Sequence, residues 1–525
     1  MRRGGEGCEK SQEKQEKTGT TEKFRVHQLK CYHGVQKKEE VARLMKESPP
    51  GTFLVRSSFL KTEVALGLFL SVKIGNGDVD CMHHYLIECR GGEYILIQEF
   101  KDNKGNGKSV THESKPFPSL EEMIEYFQHH RLACKIRLGR PLKRPPWQLR
   151  HSQVRYDDSG RLGSGNFCIV YKGKLLKKDG EAKDVAIKVS KDTGKESAAL
   201  METRNLLFAE ARIMMNYKHL NVILLYGLAC DLPPFMVCME FCAGGSLEDA
   251  LKKFGKDMEE FERQILLIDA ARGMRYLHFQ KCIHRDLASR NCLISSEGHV
   301  KIADFGLSKT LENNQTAFKE ALKEAPLAWL APECIQRESE FSSKTDVWAF
   351  GVVIFEVYNN GAKLFDGEED TAIIRKIKRA NMPTIENHTK LPSMQAVLSS
   401  IWARKPDDRP DFQKVLEQLV GALVPIQQSD LKRMQINNLK GVNRTQMPII
   451  SLEMDVVVNE EQEQDGSSEK NRNKSRTGDM QKKKTANRKE RNSAKRTTRE
   501  EPALKTRKPV PLRQTIRKQP GAPSE

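Results

Sequence analysis

Apolar positions along this 525-residue chain fall into distinct regimes. Residues 1–25 carry almost none and are rich in Gly, Glu, Lys, Gln and Thr, which predicts a disordered leader. Patterning begins at Val26. From there to Pro141, runs of strand type (GTFLVRS, VALGLFLSVKI, HHYLIEC, EYILIQEF) are separated by turns such as KDNKGNGKS from Lys101. In SLEEMIEYFQHH the residues Leu120, Met123, Ile124 and Phe127 recur at i, i+3, i+4 and i+7, one face of a helix. PLKRPPW, from Pro141 to Trp147, breaks the pattern as a basic, Pro-rich linker. Strand patterns then return and give way to helical ones after Gly244. Beyond Gln427 apolar content falls, and residues 470–525 contain no Phe, Tyr or Trp. The predicted organisation is a leader 1–25, a first domain 26–142, a linker 143–150, a second domain 151–426, and a mostly disordered basic tail 427–525.

Charge sharpens the reading of the tail. The net charge is +18, and most of it lies after Lys470. KSRTGDMQKKKTANRKERNSAKRTTR could meet anionic lipid heads, nucleic acid or acidic protein, act as a nuclear signal, or simply be solvated. Without interleaved aromatics, specific recognition of single-stranded nucleic acid is disfavoured. Electrostatic recruitment to the inner face of the plasma membrane is the favoured function. The 12 cysteines form no CxxC or zinc-type pattern. No secretory signal or run of about 18 apolar residues is present, and Arg2 excludes N-myristoylation. These features predict a reduced, cytoplasmic protein.

The chemistry concentrates in the second domain. RLGSGNFCIVYKGKL, from Arg161, holds Gly163 and Gly165 in a strand–turn–strand setting, where backbone N–H groups can approach phosphates. The candidate nucleotide loop comprises Leu162, Gly163, Ser164, Gly165, Asn166, Phe167, Cys168, Ile169 and Val170. VAIK follows with Lys188, and FAEARIMM supplies Glu210 as its partner. IHRDLASRNCLI places Asp286 to accept a hydroxyl proton, and Asn291 to hold a metal. VKIADFG adds Asp304 as the second metal ligand, a hard carboxylate of the kind Mg2+ prefers. APE at Ala331–Glu333, DVWAFG at Asp346–Gly351 and PDDRP ending at Pro410 complete the series.

In this order the motifs resemble a protein kinase catalytic domain of the tyrosine-specific branch. Ala288 stands where serine/threonine kinases place Lys, Arg290 stands at the tyrosine-kinase position, and Trp329 is of the same type. The resemblance implies a bilobal α+β domain using ATP with Mg2+, or Mn2+, to phosphorylate protein tyrosine. It also implies a hinge at Glu240–Cys242, preceded by Met239.

CYHGVQKKEEVARLMKES and GTFLVRSS resemble the opening of an SH2 domain, a central antiparallel sheet flanked by two helices. Alternation along FLVRSS puts Arg56 on the face opposite Phe53 and Val55, where a guanidinium can grip a phosphate bidentately. Ser58 from the following loop, Lys38 on the first helix and His84 complete the implied phosphotyrosine pocket. SH2 followed directly by a tyrosine kinase resembles the Fes/Fer class of cytoplasmic kinases. Glu40–Val41 and HRDLASRN fit that class, without room for its long N-terminal region. The rival reading is a catalytically silent kinase fold serving as a phosphotyrosine-binding scaffold.

Three departures stand out. Cys168 occupies the usual third-glycine position of the phosphate loop. Ala328 replaces the usual basic residue before Trp329. The segment Asp304–Glu333 contains no tyrosine; Thr316 stands where one is usual. Either another kinase phosphorylates Thr316, or the segment orders unmodified and SH2 docking provides control. The second is favoured.

Overall fold

The computed structural model describes residues 26–453 apart from 60–65, 76–80, 102–108, 166, 178–179, 192–196, 313–314, 322–325, 337 and 386–390. The expected leader and the basic run after Lys470 lie outside the described residues.

The first domain is a sheet between two helices. Its elements are β1 (Tyr32–Val35), α1 (Lys38–Leu44), β2 (Phe53–Phe59), β3 (Leu66–Lys73), β4 (Met82–Arg90), β5 (Glu93–Lys101), β6 (Ser109–Glu113) and α2 (Leu120–His129). The strands lie side by side in chain order. From β2 to β6 they pair antiparallel. The edge strand β1 runs parallel to β2 instead, because α1 carries the chain back across as a crossover. Alternation along β2 sorts its side chains: Phe53 and Val55 join the core under α2, and Leu54 packs with Val41 and Met45 on the α1 side. The stripe Leu120, Met123, Ile124 and Phe127 is buried, and Ser119 caps α2 by accepting the Glu122 N–H at 3.1 Å.

The second domain opens with β7 (Gln148–Leu149), β8 (Val154–Ser164), β9 (Cys168–Leu176), β10 (Ala182–Ser190), α3 (Ser197–Met214), β11 (Leu225–Ala229) and β12 (Met236–Glu240). Their sheet order is β7-β11-β12-β10-β9-β8. A larger helical lobe follows, with α4 (Leu247–Phe254), α5 (Glu260–Phe279), α6 (Ser343–Tyr358), α7 (Asp370–Arg379), α8 (Pro392–Ile401) and α9 (Phe412–Ala422). Short strands β13 (Gly245–Ser246), β14 (Cys282–Ile283), β15 (Cys292–Ile294), β16 (Val300–Ile302), β17 (Lys309–Thr310), β18 (Ala317–Glu320) and β19 (Ser339–Ser342) line its upper surface and the segment that crosses it. Residues 261–277 of α5 are all buried, which makes this helix the axis of the lobe. No described helix is long and apolar enough to cross a membrane.

The linker and the start of the expected tail both pack against the folded domains. The segment 143–150 is built into the protein rather than spanning loosely between domains. Its strand β7 pairs parallel with β11. Arg144 donates to the Tyr32 carbonyl at 2.7 Å and pairs with Asp231, and Gln148 meets His33 at 3.0 Å. The expected start of the tail at residue 427 needs correction. Residues 427–453 are packed on the large lobe, with Leu431, Met434, Ile436 and Val442 buried. The reason lies on α5, which carries polar groups that need partners once buried. Glu262 accepts the N–H groups of Gln435 and Ile436 at 2.9 Å each. Asp269 pairs with Arg444 at 2.5 Å, both almost fully buried. Arg272 and Arg275 donate to carbonyls between Ile449 and Glu453.

Candidate functional site

The cleft between the lobes is organised by Lys188. It stands on β10, opposite Val170 of β9 and Val237 of β12. Its ammonium donates to both Glu210 oxygens, at 2.8 and 2.7 Å, and lies 3.7 Å from Asp304 Oδ1. Burial works against the charged Lys188, but the Glu210 and Asp304 carboxylates outweigh it and raise its pKa. Burial, together with the nearby Asp304 carboxylate, raises the pKa of Glu210, with Lys188 acting the other way. The two short bonds from the ammonium hold the pair in register.

The loop above leaves open space beside its glycines. No atom lies within 4 Å of where a side chain at Gly163 would begin, so the space there is open. Gly165 N–H closes a tight turn onto the Cys168 carbonyl at 2.9 Å. Leu162 and Phe167 are apolar yet half exposed at the rim, suited to covering a flat apolar ligand. Ile169 and Val170 are half-buried below them, Ser164 is exposed, and Asn166 lies outside the described residues. Cys168 is buried, and burial pushes its thiol up, so it is a packing residue rather than a reactive one. At the hinge Glu240 N–H donates to the Leu224 carbonyl at 2.9 Å, its side chain pairs with Lys301 at 3.0 Å, and Cys242 is buried.

Below the cleft, Asp286 is held from two sides. Arg290 pairs with Oδ1, and Asn291 Nδ2 donates to Oδ2 at 2.8 Å and to the Asp286 carbonyl at 2.7 Å. Burial raises the Asp286 carboxyl above its ordinary value, with Arg290 acting the other way. Asn291 spends its nitrogen on Asp286, which leaves its side-chain oxygen as the group a cation would use. Asp304 is exposed to the cleft. Partial removal from water opposes its ionisation, but Lys188 and the Gly306 N–H outweigh this and hold its pKa below the ordinary carboxylate range. Asn291 and Asp304 thus form a hard oxygen pair suited to a divalent cation that takes its other ligands from phosphate and water. The Arg290 guanidinium lies over Trp329 at 4.7 Å, which links the two residues read as tyrosine-specific.

Other residues support this site from beneath and beside it. Asp346 on α6 accepts the backbone N–H groups of His284 at 2.8 Å and Arg285 at 2.9 Å. Arg285 and Asp304 both sit at positive φ, +71° and +64°, and such strained backbone needs fixed partners. Glu333 of APE takes a bidentate bond from the buried Arg409 of PDDRP, at 2.6 and 2.9 Å. Glu320 faces Arg285 at 3.3 Å.

A second site lies in the first domain. Arg56 is fully buried on β2; its Nε donates to Ser71 Oγ at 3.0 Å and Nη1 to the Gln36 carbonyl at 2.8 Å. Its Nη2 is buried without a partner among the described residues, a donor left for an anion. Ser58 shares the face of Arg56 but belongs to β2 itself, which runs to Phe59; it does not come from a following loop. His84 meets Ser71 Oγ at 2.9 Å. Burial, then Arg56 and Lys38, push its pKa down to about 3, so it is neutral. Lys38 is exposed at the start of α1.

The two domains meet along a close seam. Val35 N–H donates to the Cys230 carbonyl at 2.8 Å. At Gly34, with φ +70°, any Cβ would come within 2.3 Å of that carbonyl oxygen, so only glycine permits the approach. Arg204 of α3, the helix that carries Glu210, donates to the Val35 carbonyl at 2.6 Å and pairs with Glu40 of α1 at 2.6 Å. Arg212 of the same helix takes the other Glu40 oxygen.

Comparison with known proteins agrees with this geometry. A model of the protein tyrosine and serine/threonine kinase family matches residues 158–419, and an SH2 domain model matches residues 31–127. Fer-related kinase 1 of Caenorhabditis elegans is 30% identical over 406 residues, covering 75% of this chain and 94% of that protein. The tyrosine-protein kinase transforming protein Fps of avian sarcoma virus (strain PRCII) is 29% identical, over 74% of this chain and 67% of its own length. Human tyrosine-protein kinase Fer is 28% identical over 74% of this chain and 43% of its own length.

Proposed function

This chain belongs to the Fes/Fer-like non-receptor protein-tyrosine kinases, and from that premise we propose how its residues divide the reaction. The enzyme transfers a phosphoryl group from ATP to protein tyrosine, and its SH2 domain binds phosphotyrosine-containing partners. The loop from Leu162 to Val170 covers ATP, with the hinge Glu240–Cys242 against adenine. Lys188, fixed by Glu210, binds the α- and β-phosphates. Asn291 and Asp304 hold Mg2+. A bound divalent cation neutralises phosphate charge during transfer. Asp286 orients the tyrosine hydroxyl and takes its proton. Arg290, held between Asp286 and Trp329, shapes the wall against which the phenol ring lies.

The observation that carries this reading is the convergence of Lys188, Glu210, Asp304, Asn291 and Asp286 on one cleft. Transfer from Mg-ATP to a tyrosine-containing polymer tests it. Asp286→Asn should lower the rate by about 100-fold or more while nucleotide binding persists. Equal rates for the two proteins would remove Asp286 from its role.

The SH2 site is read as the phosphate grip of Arg56, Ser58 and Lys38, with neutral His84 supporting Ser71. Arg56→Ala should weaken binding of a tyrosine-phosphorylated peptide by about 100-fold in calorimetry, because a charged donor pair is lost. We also assign the basic segment after Lys470 to an anionic lipid face, on its charge alone. Co-sedimentation with phosphatidylserine vesicles should fall on deleting 470–525; unchanged sedimentation would reject the assignment.

A further inference from the structure

The segment from Asp304 to Glu333 has no tyrosine to phosphorylate, yet its described part is tied firmly to the catalytic loop. The tie is made at Arg285, the residue before Asp286. Its guanidinium is almost buried, with 11% of the side chain exposed. A buried cation needs an anion or dense hydrogen bonding. Nη1 donates to the Leu307 carbonyl at 3.2 Å and to Glu320 Oε2 at 3.3 Å. The guanidinium plane lies over Phe341 at 4.3 Å and Phe318 at 5.3 Å. A second cation, Lys309 of β17, stands 3.7 Å from the same Glu320 oxygen and 4.2 Å from the Phe318 ring. One carboxylate therefore lies between two cations.

The position of Glu320 is fixed by backbone. It is the last residue of β18, which pairs antiparallel with β19, Phe318 opposite Phe341 and Glu320 opposite Ser339. β19 leads directly into α6, where Asp346 holds the backbone of Arg285. The carboxylate is thus connected to the catalytic loop twice, through the Arg285 side chain and through the β18–β19 ladder. Thr316, the position where a tyrosine is usual, is exposed and lies outside this contact.

We propose that Glu320 is a positioning residue that supplies the anion for Arg285 and Lys309, so that the activation segment is ordered without phosphorylation. The carboxylate does by sequence what a phosphate does by modification in segments that order through new arginine pairs. This inference rests on the tyrosine kinase reading. It acts through Arg285 on the placement of Asp286, and so bears on turnover rather than on nucleotide binding.

The test uses the full chain with Mg-ATP and a tyrosine polymer. Wild-type protein treated with a broad phosphatase, which is then removed, should keep its initial rate. Glu320→Gln, which keeps the shape and removes the charge, should lower kcat by about tenfold with KM for ATP nearly unchanged. Glu320→Asp should recover part of that loss, which a purely steric role would not produce. Hydrogen exchange at 309–320 should quicken in Glu320→Gln and stay slow in Glu320→Asp, an outcome read independently of activity. A Glu320→Gln protein within twofold of wild type, or a wild-type enzyme that loses its activity on phosphatase treatment, overturns the proposal. A wild-type chain with no transfer to tyrosine would overturn the kinase reading itself, and this inference with it.

Discussion

In the proposed role Asp286 must be ionised to take a proton, and its surroundings set the pH at which that would fail. Burial raises its pKa, so the protonated, inactive form persists above the ordinary carboxylate value of about 4. The acid limb of kcat against pH should therefore lie above pH ~4; a limb at or below that value would contradict the assignment. The residues gathered in the cleft were legible in the sequence because each belongs to a short local pattern: Lys188 follows the apolar run of VAIK, and Asp286, Arg290 and Asn291 share one loop. Glu320 was not. It sits in KEALKEA, which reads locally as a polar run, and acquires its role only when β18 pairs with β19 and turns it toward Arg285. The Asp346 contact is hidden for the same reason. DVWAFG reads as a helix start, and nothing in it announces that its carboxylate will hold the backbone sixty residues upstream.

At the level of elements, the packed segment 427–453 is the clearest case of a partner that periodicity cannot reveal. Its apolar residues are spaced without helical or strand period, so it reads as tail. The signal lay on α5, whose Glu262, Asp269, Arg272 and Arg275 are polar groups on a helix buried nearly all round. Such a helix demands partners, and this segment supplies them. Arg444→Met should destabilise the protein by about 3 kcal/mol in urea unfolding, because Asp269 is left buried without its main counter-charge. Burial opposes ionisation of Asp269, but Arg444 and His299 hold its pKa well below the usual range. The stabilisation is therefore present above pH ~4 and is lost as the pH falls through the lower native value, so the penalty of the substitution should shrink in acid. A variant as stable as wild type at pH 7 would show that the pair is dispensable. Helix α3 is held in a comparable way, by Glu40 of the SH2 domain. Glu40→Gln removes the charge facing Arg204 and Arg212. It should lower tyrosine transfer by at least about fivefold, with phosphopeptide binding retained, since Glu40 is not part of the Arg56 grip. Retained transfer in that variant would mean that the seam does not position Glu210.

For the whole molecule, the domain order and the two fold types were legible, because the β2 arginine pattern and the ordered series from the glycine loop to APE each carry their own context. The seam between the domains was not. Gly34 looks like any turn glycine, and Arg204 and Glu40 look like surface charges on amphipathic helices until both domains are in place. Once assembled, the seam joins the proposed phosphotyrosine grip to the helix that carries the partner of Lys188: Gln36 accepts from Arg56, Val35 accepts from Arg204, and Glu210 lies on the same helix as Arg204. In the proposed function, an enzyme built this way would bring its phosphotyrosine partner and its next target together, which raises the local concentration of substrate. The central claim is that the assembled chain phosphorylates tyrosine. The most direct measurement is phosphoamino-acid analysis of a substrate presenting tyrosine, serine and threonine equally, after reaction with the purified full chain and radiolabelled Mg-ATP. Label confined to phosphotyrosine is the predicted result; label in phosphoserine or phosphothreonine, or none at all, would contradict it.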